Sequence, residues 1–377
     1  MQFFKVSAVI FLFSVFFSNA HADDIDISNP LNLVFVADKK DSLIDVVDTR
    51  KSETVYRIHT GHVVDQMVVT PNAPLLFYVS IKERLLVVYD LKSKRIDKQF
   101  RLAIDPRHLV LDTTGKYLAI TDNQNGGIAV LSTYSRQMLY EDTEFPSSAD
   151  VLFDPNEVDV YYTNNHTGSL GILELNTFKR FEVNLVESES GESSELSSPS
   201  RSLDGRYLYI ANQTTGEVYA LNAYSSTVYK TFKLGDAPVR PYTTPDGVFL
   251  YVMDEKSGRF VAFEQNRFST YTDTVFEKDI NLVTVGRFDR MNLLLSNLHA
   301  NYYIFDNSKK ETAIKGRFEA TPLSAQGSID GRSSYIAFSD IPKLAYLDLE
   351  STDIEYIDVT NNGAGAFTIG ATNNVCH

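Results

Sequence analysis

The sequence predicts an all-β chain folded as a single closed β-propeller of eight four-stranded blades, and three observations carry that expectation. A hydrophobic strand ending in a small residue plus Asp or Asn recurs along the chain at nearly constant spacing. A second strand follows each of these anchors at an almost fixed distance. The short strands are rich in Val, Ile, Tyr and Phe, and no stretch carries a clear helical period.

The anchors run Val34-Phe35-Val36-Ala37-Asp38, Phe77-Tyr78-Val79-Ser80-Ile81, Leu118-Ala119-Ile120-Thr121-Asp122 and Val160-Tyr161-Tyr162-Thr163-Asn164. They continue as Leu208-Tyr209-Ile210-Ala211-Asn212, Leu250-Tyr251-Val252-Met253-Asp254, Leu293-Leu294-Leu295-Ser296-Asn297 and Ile336-Ala337-Phe338-Ser339-Asp340. Their last residues step by 43, 41, 42, 48, 42, 43 and 43, a period that marks a propeller.

Second strands such as Leu43–Asp48, Leu85–Asp90 and Tyr302–Asp306 follow across polar turns such as Asn125-Gly126-Gly127, as a tight hairpin requires. A third, more polar strand comes next, as in Thr54–Ile58 and Thr227–Phe232. A fourth leads into turns such as Leu203-Asp204-Gly205, Pro245-Asp246-Gly247 and Ile329-Asp330-Gly331. One small twisted sheet cannot bury both faces, whereas neighbours around a ring cover one another and leave only short edges.

The first unit supplies three strands over about residues 33–60 and lacks its fourth. The segment 364–371 occupies the fourth-strand slot of the repeat. It is expected to return as the innermost strand of the first blade, pairing with the strand around 33–38 and closing the ring. Seven blades is the alternative, with one terminal unit decayed. The 48-residue step reflects an acidic, serine-rich insertion, Glu187–Glu195, expected as a surface loop at about 186–198.

Residues 1–22 read as a secretory signal: Lys5, the apolar run Val9–Phe17, then a small-x-small site at Ala20-His21-Ala22. The propeller domain then spans 23–377. That apolar run is too short to span a bilayer and no later one reaches spanning length, so the expected location is periplasmic or extracellular with no membrane span.

Lys+Arg 35 against Asp+Glu 49 gives a net charge of −14, which disfavours nucleic acid and anionic lipid as partners and favours a cationic protein. The one cysteine, Cys376, has no intrachain partner. With His377 it resembles the end of a c-type haem motif, but Asn373 stands where the first cysteine is required, and a frayed tail is the expectation.

The strand-plus-Asn motif, closest in Tyr209-Ile210-Ala211-Asn212, the strands ending in Asp48 and Asp306, and the Pro245-Asp246-Gly247 turn resemble the bacterial YVTN propellers. That superfamily includes haem-d1 domains and amine-dehydrogenase large subunits. The resemblance implies architecture over nearly the whole mature chain, while propellers of this kind serve as enzymes, scaffolds and binding proteins. The absence of Trp departs from WD-type propellers and from quinoprotein alcohol dehydrogenases.

Propeller ligands gather at the channel mouth, where the innermost strands begin. Aligning the units on their Asp-Gly turns places Gln66, His108, Asp150, Ser198, Arg240, Val283 and Ser324 there, with Arg107 beside His108. A ring of unlike polar groups suits an anionic or polar ligand, and also suits a water-filled channel. His108 is the best candidate base or ligand, because imidazole titrates near neutrality.

No G-x-S-x-G elbow, P-loop or paired-cysteine motif occurs, and His59 and His62 lack a carboxylate that completes a zinc pattern. The alternation of Asp45 and Asp48 suits repeat structure better than a calcium loop. The expected function is therefore non-catalytic binding or scaffolding, with no cofactor or metal. One alternative is the propeller subunit of a redox enzyme, with haem or quinone held non-covalently or on a partner chain. Another is a lactone- or sugar-hydrolysing propeller.

Overall fold

Each repeat folds as a four-stranded antiparallel meander, and eight such sheets follow one another around a ring in the computed structural model. The structure describes residues 26–370 apart from 72, 148–149, 157, 186–193 and 287–289. The expected signal segment 1–22, most of the acidic insertion, and Cys376 with His377 lie outside the described residues. Where the insertion re-enters the described chain it is packed: Leu196 is buried and bridges Asn212.

Strands are numbered β1 to β32 along the chain. Blade 1 holds β1 (Leu33–Asp38), β2 (Leu43–Asp48), β3 (Glu53–His59) and, as its innermost strand, β32 (Ala364–Ile369). Blades 2 to 8 each begin with their own inner strand: β4 (Gln66–Val69), β8 (His108–Leu111), β12 (Leu152–Phe153), β16 (Ser200–Arg201), β20 (Tyr242–Thr243), β24 (Leu282–Val285) and β28 (Pro322–Gly327).

The expected closure is present. Val34 pairs with Ile369, Phe35 with Thr368, Val36 with Phe367 and Ala37 with Ala366, followed by a bulge before Asp38. With both chain ends in one sheet, blade 1 cannot leave the ring without breaking a ladder, and β32 lies beside β4 and β28 as any other inner strand would.

The period-2 alternation of the strands divides each blade between two cores. Phe35 and Ala37 face Met67, Tyr78 and Val87 of blade 2, while Val34 and Val36 face Tyr335, Ala337 and Leu344 of blade 8. Eight clusters of this kind lie between successive blades. Each large side chain buried in them contributes roughly 1.5–3 kcal/mol.

The repeat proves stricter than the anchors suggested. One non-glycine residue per blade adopts a left-handed conformation in the outer hairpin: Ser52, Lys94, Arg136, Phe178, Ser226, Phe268, Lys310 and Thr352, with φ between 50° and 67°. Their spacing is 42 throughout except for one step of 48, which assigns six extra residues to the connection between blades 4 and 5. In this register the equivalents of Asp38 are Ser80, Ser296 and Phe338, so the anchors taken at Ile81, Asn297 and Asp340 stand one or two residues late.

The recurrent Asp and Asn residues are explained by turn chemistry. Asp122 Oδ1 accepts the backbone N–H groups of Gln124 and Asn125, and Asn212 Oδ1 those of Thr214 and Thr215. At the opposite end Asp306 Oδ1 accepts from Ser308 and Lys309, and Asp348 Oδ1 from Glu350 and Ser351. Short polar side chains at strand ends satisfy turn amides that the ladder leaves open. Asp45 and Asp48 are likewise structural, held by Arg57 and Arg50.

Candidate functional site

Because every blade has the same strand order, all inner strands start at one end of the channel. Backbone pairing fixes which residues are equivalent there. Gln66 pairs with Val79, His108 with Thr121, Leu282 with Leu295, Ser324 with Ala337 and Ala366 with Ala37. The 42-residue register adds Asp150, Ser198 and Arg240 on blades 4, 5 and 6. The blade 7 position is thus Leu282; Val283, one residue further on, belongs to the next row.

This ring is chemically lopsided. Blades 7 and 1 contribute Leu282 and Ala366, while blades 3, 4 and 6 contribute His108, Asp150 and Arg240. The charged side chains lie close enough to feel one another. Burial pushes the Asp150 carboxyl above the ordinary aspartate range, and the positive fields of Arg240 and His108 oppose that rise. Asp150 keeps some accessible surface although protein surrounds it closely, as befits a side chain in a narrow opening. Its Oδ1 accepts the Val151 N–H at 2.8 Å, and Arg240 Nη2 donates to the Pro199 carbonyl at 3.0 Å. The latter bond ties blade 6 to blade 5.

The remaining expected residues are placed differently. Gln66 is exposed and Ser324 half-buried in the same ring, and neither side chain hydrogen-bonds among the described residues. Ser198 is buried, its carbonyl accepting the Ser197 hydroxyl at 3.0 Å. Arg107 is engaged within its own blade, with Nε 3.3 Å from Asp122 Oδ1 and Nη2 3.8 Å from Asp105 Oδ2.

A cavity of about 460 Å³ continues inward from Arg240 along the inner strands of blades 4 to 7. Ser200, Arg201, Tyr242 and Thr243 line it, none of which the mouth alignment singled out. The signal lies two and three residues deeper along the inner strands. Blades 2, 3 and 4 carry Val68-Val69, Val110-Leu111 and Leu152-Phe153 where blade 5 carries Ser200-Arg201.

Among the described residues, no group of three or more His, Cys, Asp or Glu side chains is disposed to hold a metal ion. His299 is held at the surface, its Nε2 3.1 Å from the Lys278 carbonyl oxygen. Among the described residues no helix is long and apolar enough to cross a membrane.

No family model matches the sequence. No curated protein matches it either. Solved structures share the fold. Dihydro-heme d1 dehydrogenase NirN, in complex with DHE, superposes with a TM-score of 0.74 at 15% identity, over 92% of this chain and 77% of that one. BamB from Moraxella catarrhalis superposes at 0.63 and 15% identity, over 79% and 89% of the two chains. Hydrazine synthase from Kuenenia stuttgartiensis does so at 0.56 and 11% identity, over 79% and 96%. The β-propeller architecture is thus shared with bacterial propellers.

Proposed function

We propose that this chain is an exported binding propeller whose ligand or partner seats on the polar sector of the channel mouth formed by His108, Asp150 and Arg240. The observation that supports it is the concentration of charge on one arc of an otherwise regular ring, around a carboxyl group that burial makes costly to ionise. A purely structural ring has no use for such a group.

The test is native mass spectrometry of protein recovered from its exported compartment. The wild-type chain is expected to carry a non-covalent mass that the His108→Ala/Arg240→Ala variant loses while keeping its circular dichroism. Retention of that mass by the folded variant rejects the mouth. Export itself is read from the mature N-terminus, expected at Asp23.

A second reading, the propeller subunit of a redox enzyme, draws support from His108 as the one imidazole in the described ring and from a similar fold in NirN. In it, His108 offers a nitrogen ligand or base, and Arg240 a partner for a cofactor carboxylate. The visible spectrum of the same material separates the two: a Soret or quinone band favours the redox reading, and a colourless protein favours the binder.

A further inference from the structure

The two ends of the propeller differ in what they expose. Among the described residues, Leu298 is the one large apolar side chain left exposed in a turn at the mouth end. The opposite end, where the inner strands finish and the outer hairpins turn, exposes Val158, Leu203, Tyr224 and Val248 on blades 4 to 6. Tyr224 is 79% exposed. Tyr134, 74% exposed, holds the same place on blade 3, two residues before the left-handed position. The other blades carry Arg50, Lys92, Asn176, Asn266, Ser308 and Glu350 there.

The side chains on blades 4 to 6 form one surface, because the turns of successive blades abut. A methyl group on Gly247 of blade 6 would sit 2.8 Å from Leu203 Cβ of blade 5. One on Gly205 of blade 5 would sit 3.7 Å from Pro155 Cγ of blade 4. Between blades 5 and 6 the surface dips into a hollow of about 250 Å³, lined by Leu203, Tyr207, Gly247, Asp204, Asp246 and Arg206 among others. Apolar residues scattered singly on a surface need no explanation, but a contiguous group beside a hollow marks a place of contact.

Charge specifies the kind of partner. Asp159, next to Val158, stands directly opposite Glu174 in the ladder, and its carbonyl accepts the Asp154 N–H at 2.8 Å. Like charges placed opposite one another repel. The Asp159 side chain makes no hydrogen bond or ion pair among the described residues. Burial and the fields of Asp154 and Glu174 all push its carboxyl up, and no cation among the described residues opposes them. Arg201 feels Asp154, but its guanidinium is turned to the Phe153 carbonyl. Tyr161 feels Asp154, Asp159 and Tyr224 together, which places the carboxylates at the edge of the apolar surface.

We propose that this end of blades 4 to 6 is the docking surface for a basic segment of another protein. Apolar side chains of that segment lie across Val158, Leu203, Tyr224 and Val248, and a lysine or arginine neutralises Asp154, Asp159 and Glu174. A small cation has no use for the apolar stretch, and an acidic chain, at −14 net, disfavours a second copy of itself. The surface lies at the far end of the channel from the mouth and shares no residue with it.

The test is fluorescence anisotropy of the full mature chain with a short labelled peptide that alternates lysine and leucine, at about 0.15 M salt. Peptides alternating glutamate with leucine, and lysine with serine, serve as comparisons and are expected to bind at least about tenfold more weakly. Tyr224→Ser is expected to weaken the lysine–leucine peptide about fivefold or more, and Asp159→Asn about threefold. Glu83→Gln, the same charge change at an exposed site on the mouth end, is expected to leave the affinity within about twofold. If either test variant fails to fold by circular dichroism, Leu203→Ser takes its place and is expected to cost as much. Absence of binding, equal binding of a comparison peptide, or wild-type affinity in the folded variants overturns the proposal. So does a concentration-dependent dimer that Tyr224→Ser abolishes, since the face would then belong to a second copy.

Discussion

Asp38 Oδ2 accepts the backbone N–H of Asn361 at 2.8 Å, across 323 residues of sequence, at the point where the last connection enters the first blade. The same carboxylate takes the Asn362 N–H at 2.9 Å, and its other oxygen takes those of Lys40 and Asp41 at 2.8 Å each. One side chain thus caps its own hairpin and fastens the closing strand.

Acid is expected to loosen the ring through this residue. Burial alone raises the Asp38 carboxyl, but the N–H donors of Asp41, Asn361, Lys40 and Asn362 together bring it down to about 2. A carboxylate depressed in the fold stabilises above its unfolded pKa, near 4, and loses that contribution as pH falls toward 2. The contribution is on the order of 2 kcal/mol. Thermal melts between pH 7 and pH 2 should show Asp38→Asn less stable at neutrality and with a shallower acid limb than the wild type.

Gly171 of blade 4 leaves room for a neighbour. A methyl group placed there would overlap the Tyr162 ring, which is itself fully buried and packed on Phe145 with centroids 4.4 Å apart. Gly171→Ala is expected to cost about 1–3 kcal/mol in a denaturant titration. The companion Tyr162→Phe should cost little, because the Tyr162 hydroxyl has no hydrogen-bond partner among the described residues.

Asp45 tests how a buried charge is supported. Its side chain is 1% exposed and accepts from Nε and Nη2 of Arg57, one edge of the guanidinium, while Thr360 N–H donates at 2.6 Å. Arg57→Ala leaves a buried carboxylate with that amide as its remaining partner, and a loss of about 1–3 kcal/mol is expected. Adding Asp45→Asn to Arg57→Ala should recover part of it, and equal stability of single and double variants would contradict the pairing.

The blades and the closure could be read from the sequence because they depend on pattern: alternating strands such as Tyr207–Asn212, Asp-Gly turns, and a spare strand at 364–369. Spacing is preserved wherever neighbouring sheets must interdigitate. The anchors at Asn297 and Asp340 drift because an Asp or Asn near a strand end marks a cap and not a register position. Ser296 Oγ performs the cap through the Leu298 N–H at 2.9 Å, and a serine gives no visible anchor. Arg201 was hidden for a different reason. Its meaning lies in what its equivalents are, and that comparison requires the 42-residue register that the backbone conformations supply.

Asp150 gives the pH signature of the mouth. Its carboxyl is raised, with burial as the main cause and with Arg240 and His108 opposing. A raised aspartate has the opposite sign to Asp38: folding favours its protonated form, so stability declines as pH rises from the unfolded pKa near 4 through the higher folded value. Asp150→Asn should therefore melt above the wild type at pH 7 and match it more nearly at pH 4. Arg240→Ala removes the larger of the two opposing fields, so its destabilisation should be greater at pH 7 than at pH 4, and Asp150→Asn should relieve it. Differential scanning calorimetry of the four proteins at the two pH values measures this coupling directly. A pH-independent penalty for Arg240→Ala would mean that the guanidinium acts through its bond to Pro199 and not through Asp150, leaving the proposed site at the mouth without its electrostatic link between blades 4 and 6.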